Sequence, residues 1–178
     1  VTPTETTVSS SAFSIHNTPV PAKPDYITVS NTRVGMPGNS VTTTFTYNAK
    51  GLRASETGFS GLPKAITTNY IYNNFGNPVT VTVSSAGLNN RTVNSTYDSK
   101  GRYVITAQKT GSGLSHTESF TINSKWGLPL SHTSTDCLTT TNDYDAFGAL
   151  VNTVLPDGNN LTINNVWHTT NIFGSPNP

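Results

Sequence analysis

The residues able to do chemistry are few: nine Asp and Glu, four His and a single Cys in 178 positions. His16, His116, His132 and His168 stand far apart, with no Cys, Asp or Glu at the His-x-x-x-His spacing that chelation uses, so they are read as solvated or sheet-facing side chains. Asp143 and Asp145 lie two apart and would share one strand face, a geometry open to a carboxylate pair or a calcium ion. Asp145 also occupies a turn-initiating position, and that structural role is preferred. Ser115, His116 and Asp136 can be assembled on paper into a hydrolase triad, but no nucleophile-elbow motif accompanies them. Cys137 has no second thiol for a disulfide or a metal site. Trp126 and Trp167 could stack on sugar rings, and Asn-x-Ser/Thr sequons occur at Asn90, Asn94 and Asn160, in or beside expected turns. No catalytic residue, cofactor or metal ligand is assigned.

Partners are bounded in the same way. The ten Lys and Arg are scattered from Lys23 to Lys125 without a cluster, which argues against a basic stripe for nucleic acid. No apolar run approaches the ~18 residues of a membrane span, and no basic segment followed by an apolar one opens the chain, which reads as a mature, soluble piece. Thr (31), Asn (20) and Ser (19) supply the polarity, so it comes from hydroxyls and amides rather than ions. Such a composition suits strands and turns and is common in exported proteins.

Apolar residues recur with period two wherever they gather, as in Val79, Val81 and Val83 against Thr80, Thr82 and Ser84, or Phe45 and Tyr47 against Thr44 and Thr46. Clusters of Gly, Asn and Pro interrupt these runs at Gly58 to Pro63, Ala86 to Asn90, Gly111 to Gly113 and Pro156 to Asn160. The expected fold is all-β, built from short antiparallel strands.

One pentad repeats along the chain. Tyr47-Asn48-Ala49-Lys50-Gly51 returns as Tyr72-Asn73-Asn74-Phe75-Gly76, Tyr97-Asp98-Ser99-Lys100-Gly101 and Tyr144-Asp145-Ala146-Phe147-Gly148. Weaker copies are Asn123-Ser124-Lys125-Trp126-Gly127, one residue longer, and Asn171-Ile172-Phe173-Gly174. The spacing is near 25 residues. Asn or Asp at the end of a strand accepts a hydrogen bond from the N–H two residues on, and glycine takes the left-handed backbone that closes the turn. The pentad is therefore a hairpin corner, a type I turn with a glycine bulge. Each period then holds two strands of about eight residues and two turns, and neighbouring hairpins must pair edge to edge and share a buried face. The tyrosines are read as a packed ladder and Phe75, Trp126, Phe147 and Phe173 as a second aromatic row.

The array is placed at residues 41–178, with residues 1–40 as an extended strap or cap that holds five of the eleven prolines. Tyr26 to Val34 is a further strand candidate, and residues 1–12 are expected to be partly disordered. Unpaired sheet edges would favour self-association, with neighbouring repeats of a longer parent chain as the natural partners.

Tyr97-Asp98-Ser99-Lys100-Gly101-Arg102-Tyr103, and Tyr144-Asp145-Ala146-Phe147-Gly148 with Pro156-Asp157-Gly158 after it, resemble the RHS/YD-repeat family, whose signature is Tyr-Asp-x-x-Gly-Arg-Leu. The resemblance covers residues 41–174. It implies spirals of β-hairpins that wind into a hollow shell, as in bacterial toxin-complex B and C components, polymorphic RHS toxins and teneurins. It further implies a non-catalytic scaffold that encloses or supports a toxin domain, secreted or at a bacterial cell surface. Asn replaces Asp in four of the six corners, and the family arginine occurs only at Arg102. No Asp-Pro dipeptide is present, so the family's self-cleavage residues are not carried over. The alternative is an adhesin or carbohydrate-binding β-domain.

Overall fold

The computed structural model describes residues 5–14, 23–33 and 36–164. These residues form thirteen strands and no helix: β1 (Glu5–Ser14), β2 (Lys23–Arg33), β3 (Met36–Tyr47), β4 (Arg53–Gly58), β5 (Ile66–Tyr72), β6 (Pro78–Ser85), β7 (Arg91–Tyr97), β8 (Val104–Gly111), β9 (Leu114–Ile122), β10 (Pro129–Thr133), β11 (Thr139–Tyr144), β12 (Leu150–Val154) and β13 (Asn160–Thr162). The protein is all-β, and its strands pair antiparallel with their sequence neighbours, as tandem hairpins do. From β4 to β12 they run five to nine residues, several of them shorter than the expected eight. The expected division between strap and array, at residue 40, falls inside β3.

The chain divides into two compact units, Val1–Thr117 and Glu118–Pro178. The first holds β1 to β8. Residues facing each other across a ladder share a sheet face, and faces alternate along a strand. One face of this unit therefore carries a rank of uncharged polar side chains across six strands: Thr46, Ser55, Asn69, Thr82, Thr92 and Thr110. Neighbouring hydroxyls on this face bond to each other, Thr46 to Ser55 at 2.6 Å, Thr57 to Thr67 at 3.0 Å and Thr82 to Thr92 at 3.2 Å. The other face is richer in apolar groups, with Val29 opposite Val41 and a row of Tyr70, Val81 and Val93.

The alternation is as expected, but the shared buried face is not. Among residues 23–30 and 38–164 no hydrophobic side chain is buried, and Gly51 is the one residue there that is. A sheet buries an apolar face only when a second layer covers it, and the described residues of each unit supply no such layer to that unit. Edge-to-edge hydrogen bonding, hydroxyl pairs and corner contacts therefore hold the hairpins together.

The turns alternate in kind. In the first unit the pentads close β3–β4, β5–β6 and β7–β8, so all three lie at one end of the meander. In the second unit the pentads close β9–β10 and β11–β12. Away from the pentads, Ser112 (φ 52°) and Gly113 (φ 81°) form a two-residue loop between β8 and β9 with both residues left-handed, the type I′ turn that matches strand twist.

Candidate functional site

The repeated corners are the most highly organised feature of the molecule, and each is built on its Asx residue. Asn48 Oδ1 accepts from the N–H groups of Lys50 (2.9 Å) and Leu52 (3.0 Å), and Asn73 Oδ1 from those of Phe75 (2.9 Å) and Asn77 (3.0 Å). Asp145 Oδ1 does the same with Phe147 and Ala149, both at 2.9 Å. Asp98 Oδ1 accepts instead from the N–H groups of Arg102 and Tyr103, four and five residues on. Its other oxygen meets the Arg102 guanidinium at 3.1 Å. In every one of these corners the glycine N–H donates to the Asx carbonyl, at 2.8 to 3.1 Å. Gly51, Gly76, Gly101, Gly127 and Gly148 all have φ between 67° and 85°, the left-handed region that favours glycine. The ladders slip by one residue at the tyrosine of the four Tyr-containing corners, which marks the glycine bulge. In the longer corner, Asn123 Oδ1 accepts from Lys125 N–H, and Gly127 N–H bonds back to the Asn123 carbonyl four residues away, so the extra residue is taken up inside the turn.

Corners are tied to the preceding repeat. Tyr72 Oη donates to the Arg53 carbonyl (2.7 Å), Tyr97 Oη to that of Pro78 (3.1 Å) and Tyr144 Oη to that of Pro129 (2.9 Å). Each acceptor sits two residues beyond the preceding corner's glycine, at the first residue of the intervening strand. Tyr47 Oη reaches the Pro24 carbonyl at the start of β2 in the same manner (2.9 Å). The tyrosine ladder is thus linked through hydroxyls to backbone. The fourth corner has Ile122 in the tyrosine slot, with no hydroxyl to donate.

A second tie uses the glycines. An ideal Cβ on Gly101 would lie 2.5 Å from Phe75 Cγ and Cδ2, so the Phe75 ring rests on the next corner's bare backbone. Trp126 and Leu128 bear likewise on Gly148, at 3.5 Å from such a Cβ. Asn77 Nδ2 donates to the Gly101 carbonyl at 2.5 Å, and Lys23 Nζ donates to that of Gly51. Phe147 is exposed, and Asn171, Phe173 and Gly174 of the sixth corner lie outside the described residues, as do His16, Trp167 and His168.

Charge adds to the two aspartate turns. Desolvation pushes the Asp98 carboxyl up, but the N–H groups of Tyr103 and Arg102 and the Arg102 guanidinium outweigh it and hold the group below the usual carboxylate range. The N–H and side-chain amide of Asn159 do the same for Asp157, in the Pro-Asp-Gly turn after β12. A depressed carboxylate contributes stability that is complete above its unfolded value, about 4, and lost as pH falls through the lower folded value. Backbone amide signals of residues 98–103 and 157–159 are therefore expected to hold down to about pH 4 and to shift only below it. The Asn48 and Asn73 corners, with nothing to titrate, should hold, and simultaneous loss at all corners in an NMR titration would refute this. Tyr72 is pushed the other way, up from the ordinary phenol value by desolvation and by Tyr70 against an opposing pull from Arg53. Its bond to the Arg53 carbonyl thus stays intact up to the ordinary value, about 10, and weakens as pH rises through the folded one.

The other candidates separate. Asp143 Oδ2 accepts from Asn152 Nδ2 at 3.2 Å, while Asp145 serves the corner. Ser115 Oγ accepts from Gln108 Nε2 at 3.1 Å and belongs with His116 to the first unit, whereas Asp136 sits in the β10–β11 turn of the second. His132 stacks on Phe120 with centroids 4.7 Å apart and lies 3.7 Å from Glu118. Among the described residues no three of His, Cys, Asp and Glu are gathered to hold a metal ion, and no helix is long and apolar enough to cross a membrane. Trp126 is about one-third exposed, and Lys125 Nζ stands 4.4 Å from its ring centroid. Asn94 is not beside a turn as expected but lies within β7, where its Oδ1 accepts from Thr80 at 3.0 Å.

Sequence reasoning missed one turn of the same backbone pattern. Ser134 N–H donates to the Leu138 carbonyl and Cys137 N–H to that of Ser134, with Cys137 at φ 60° in the glycine slot. The turn-forming Ser-Thr-Asp run was a usable signal, hidden by cysteine where glycine belongs. Against models of known protein families and against curated proteins, the chain finds no match.

Proposed function

We propose that the chain is a non-catalytic structural segment of a large exported protein of the RHS/YD-repeat type, contributing hairpins to a shell wall that encloses or supports a toxin or effector domain. The observation that carries this reading is the stitch from each tyrosine hydroxyl to the strand start beyond the preceding corner, at Tyr47, Tyr72, Tyr97 and Tyr144. An array whose corners bind only the neighbouring repeat gains stability with each unit added. That is the property a wall needs and an active site does not. The organised polar groups are engaged in turns and stitches, and their regularity serves extension.

Electron cryomicroscopy of the segment within its native polypeptide provides the test. Rows of corners continuing around an enclosed volume are expected, while a compact separate domain presenting the Trp126 surface outward would overturn the reading. Glycan-array binding that disappears in Trp126→Ala with folding intact would instead support the adhesin alternative.

A further inference from the structure

We propose that the apolar face of the first unit is covered by a second copy of this chain, the two sheets stacking face to face as a β-sandwich with a two-fold axis running parallel to the strands between β5 and β6. An amphipathic sheet is stable in water when its apolar face meets another layer. On that face Val29, Val41, Ile66 and Val83 are each 37–44% exposed.

The identity of the occupant follows from the order of side chains along one row. Ladder pairing places Phe45, Glu56, Thr68, Val83, Arg91 and Gly111 side by side from β3 to β8. Rotating a second copy by half a turn about the proposed axis reverses this row above itself at the same height. Phe45 then faces the partner's Gly111, Glu56 faces the partner's Arg91, and Thr68 faces the partner's Val83. Acid meets base twice, as an isologous contact requires. The adjacent row behaves alike, bringing Tyr70 over the partner's Val81. Arg53, already 2.6 Å from Glu56 and 4.7 Å from the Phe45 ring centroid, would share the carboxylate with the partner's Arg91. The opposite face, with its hydroxyls bonded pairwise, stays in water. Sheets stacked in this way lie about 10 Å apart with strands some 30° from parallel.

Analytical ultracentrifugation of the full chain tests this. A closed dimer is expected, with its dissociation constant raised at least tenfold by Arg91→Glu or Glu56→Arg, each of which sets like charges face to face. The double variant Glu56→Arg/Arg91→Glu should recover most of the lost affinity. Val81→Lys should give monomer, whereas Thr82→Lys, on the hydroxyl face, should leave the dimer intact. Should Val81→Lys fail to fold by circular dichroism, Arg91→Glu decides the matter, since Arg91 is exposed, and Glu56→Arg, which also breaks the Arg53 ion pair, is read against it. A monomer at every soluble concentration, a double variant no tighter than the singles, or open-ended growth indifferent to Arg91→Glu, as edge pairing would give, overturns the proposal.

Discussion

Gly101→Ala is expected to destabilise the protein by about 2–3 kcal/mol, more than the same change at Gly76 or Gly148, where the nearest atoms stand at ordinary contact distance. Two costs combine. A non-glycine residue in the left-handed region pays about 1–2 kcal/mol, and Gly101 has φ 67°. The added methyl would also sit 2.5 Å from Phe75 Cγ and Cδ2 and 2.9 Å from its Cβ, so the ring has to move off the corner. Phe75 is 63% exposed and its ring can swing toward solvent, but the crowded atoms include its Cβ and Cγ, so the displacement adds about 1 kcal/mol, the low end for overfilling. Gly113→Ala isolates the first cost, since Gly113 has φ 81° and open space around it. Urea unfolding should therefore rank Gly101→Ala well below Gly113→Ala, and Phe75→Ala/Gly101→Ala should lose less than its two single changes together. Equal losses for the two glycine variants would show that Phe75 yields freely and that the ring-on-glycine contact does not hold the repeats.

The triple change Tyr47→Phe/Tyr72→Phe/Tyr97→Phe is expected to cost about 2–3 kcal/mol while leaving every ring in place. Each hydroxyl donates one bond to a backbone carbonyl at the start of the strand before its own. A bond of this kind contributes about 0.5–1.5 kcal/mol net, and the three are independent enough to add. Tyr70→Phe, on the same face as Tyr72 and without such a bond, serves as the control and should change stability little. Thermal unfolding of wild type, the triple variant and Tyr70→Phe makes the comparison. If the triple variant melted with wild type, the hydroxyls would be incidental, and the ladders and glycine contacts would carry the inter-repeat coupling.

How far the sequence foretold the molecule can be judged from these same residues. The corners were legible because Asn or Asp three residues before Gly is a local device, complete within five residues, as the bonds at Asn48, Asn73 and Asp145 show. The strand faces were legible for the same reason, since period two is a property of the backbone. What the tyrosines bind was not legible, because the Arg53, Pro78 and Pro129 carbonyls lie 15 to 19 residues away and depend on ladder register. Nor could alternation tell a covered face from a bare one. Val81 and Val83 read as part of a buried face, and residues 23–30 and 38–164 contain no buried hydrophobic side chain. The role of Phe75 needed the neighbouring hairpin, and Cys137 in a glycine slot broke the one rule by which its turn could have been found.

The bare apolar face also governs how a single copy responds to temperature. Unfolding raises heat capacity chiefly by wetting apolar surface, at about 12–15 cal/mol/K per residue in ordinary domains. With Val29, Val41 and Val83 already wet in the folded sheet, a lone copy has less to expose and a smaller increment. Its free-energy curve is then shallow, with no sharp optimum and little tendency to fall apart on chilling, so that what strength it has is nearly the same in cold as in warm surroundings.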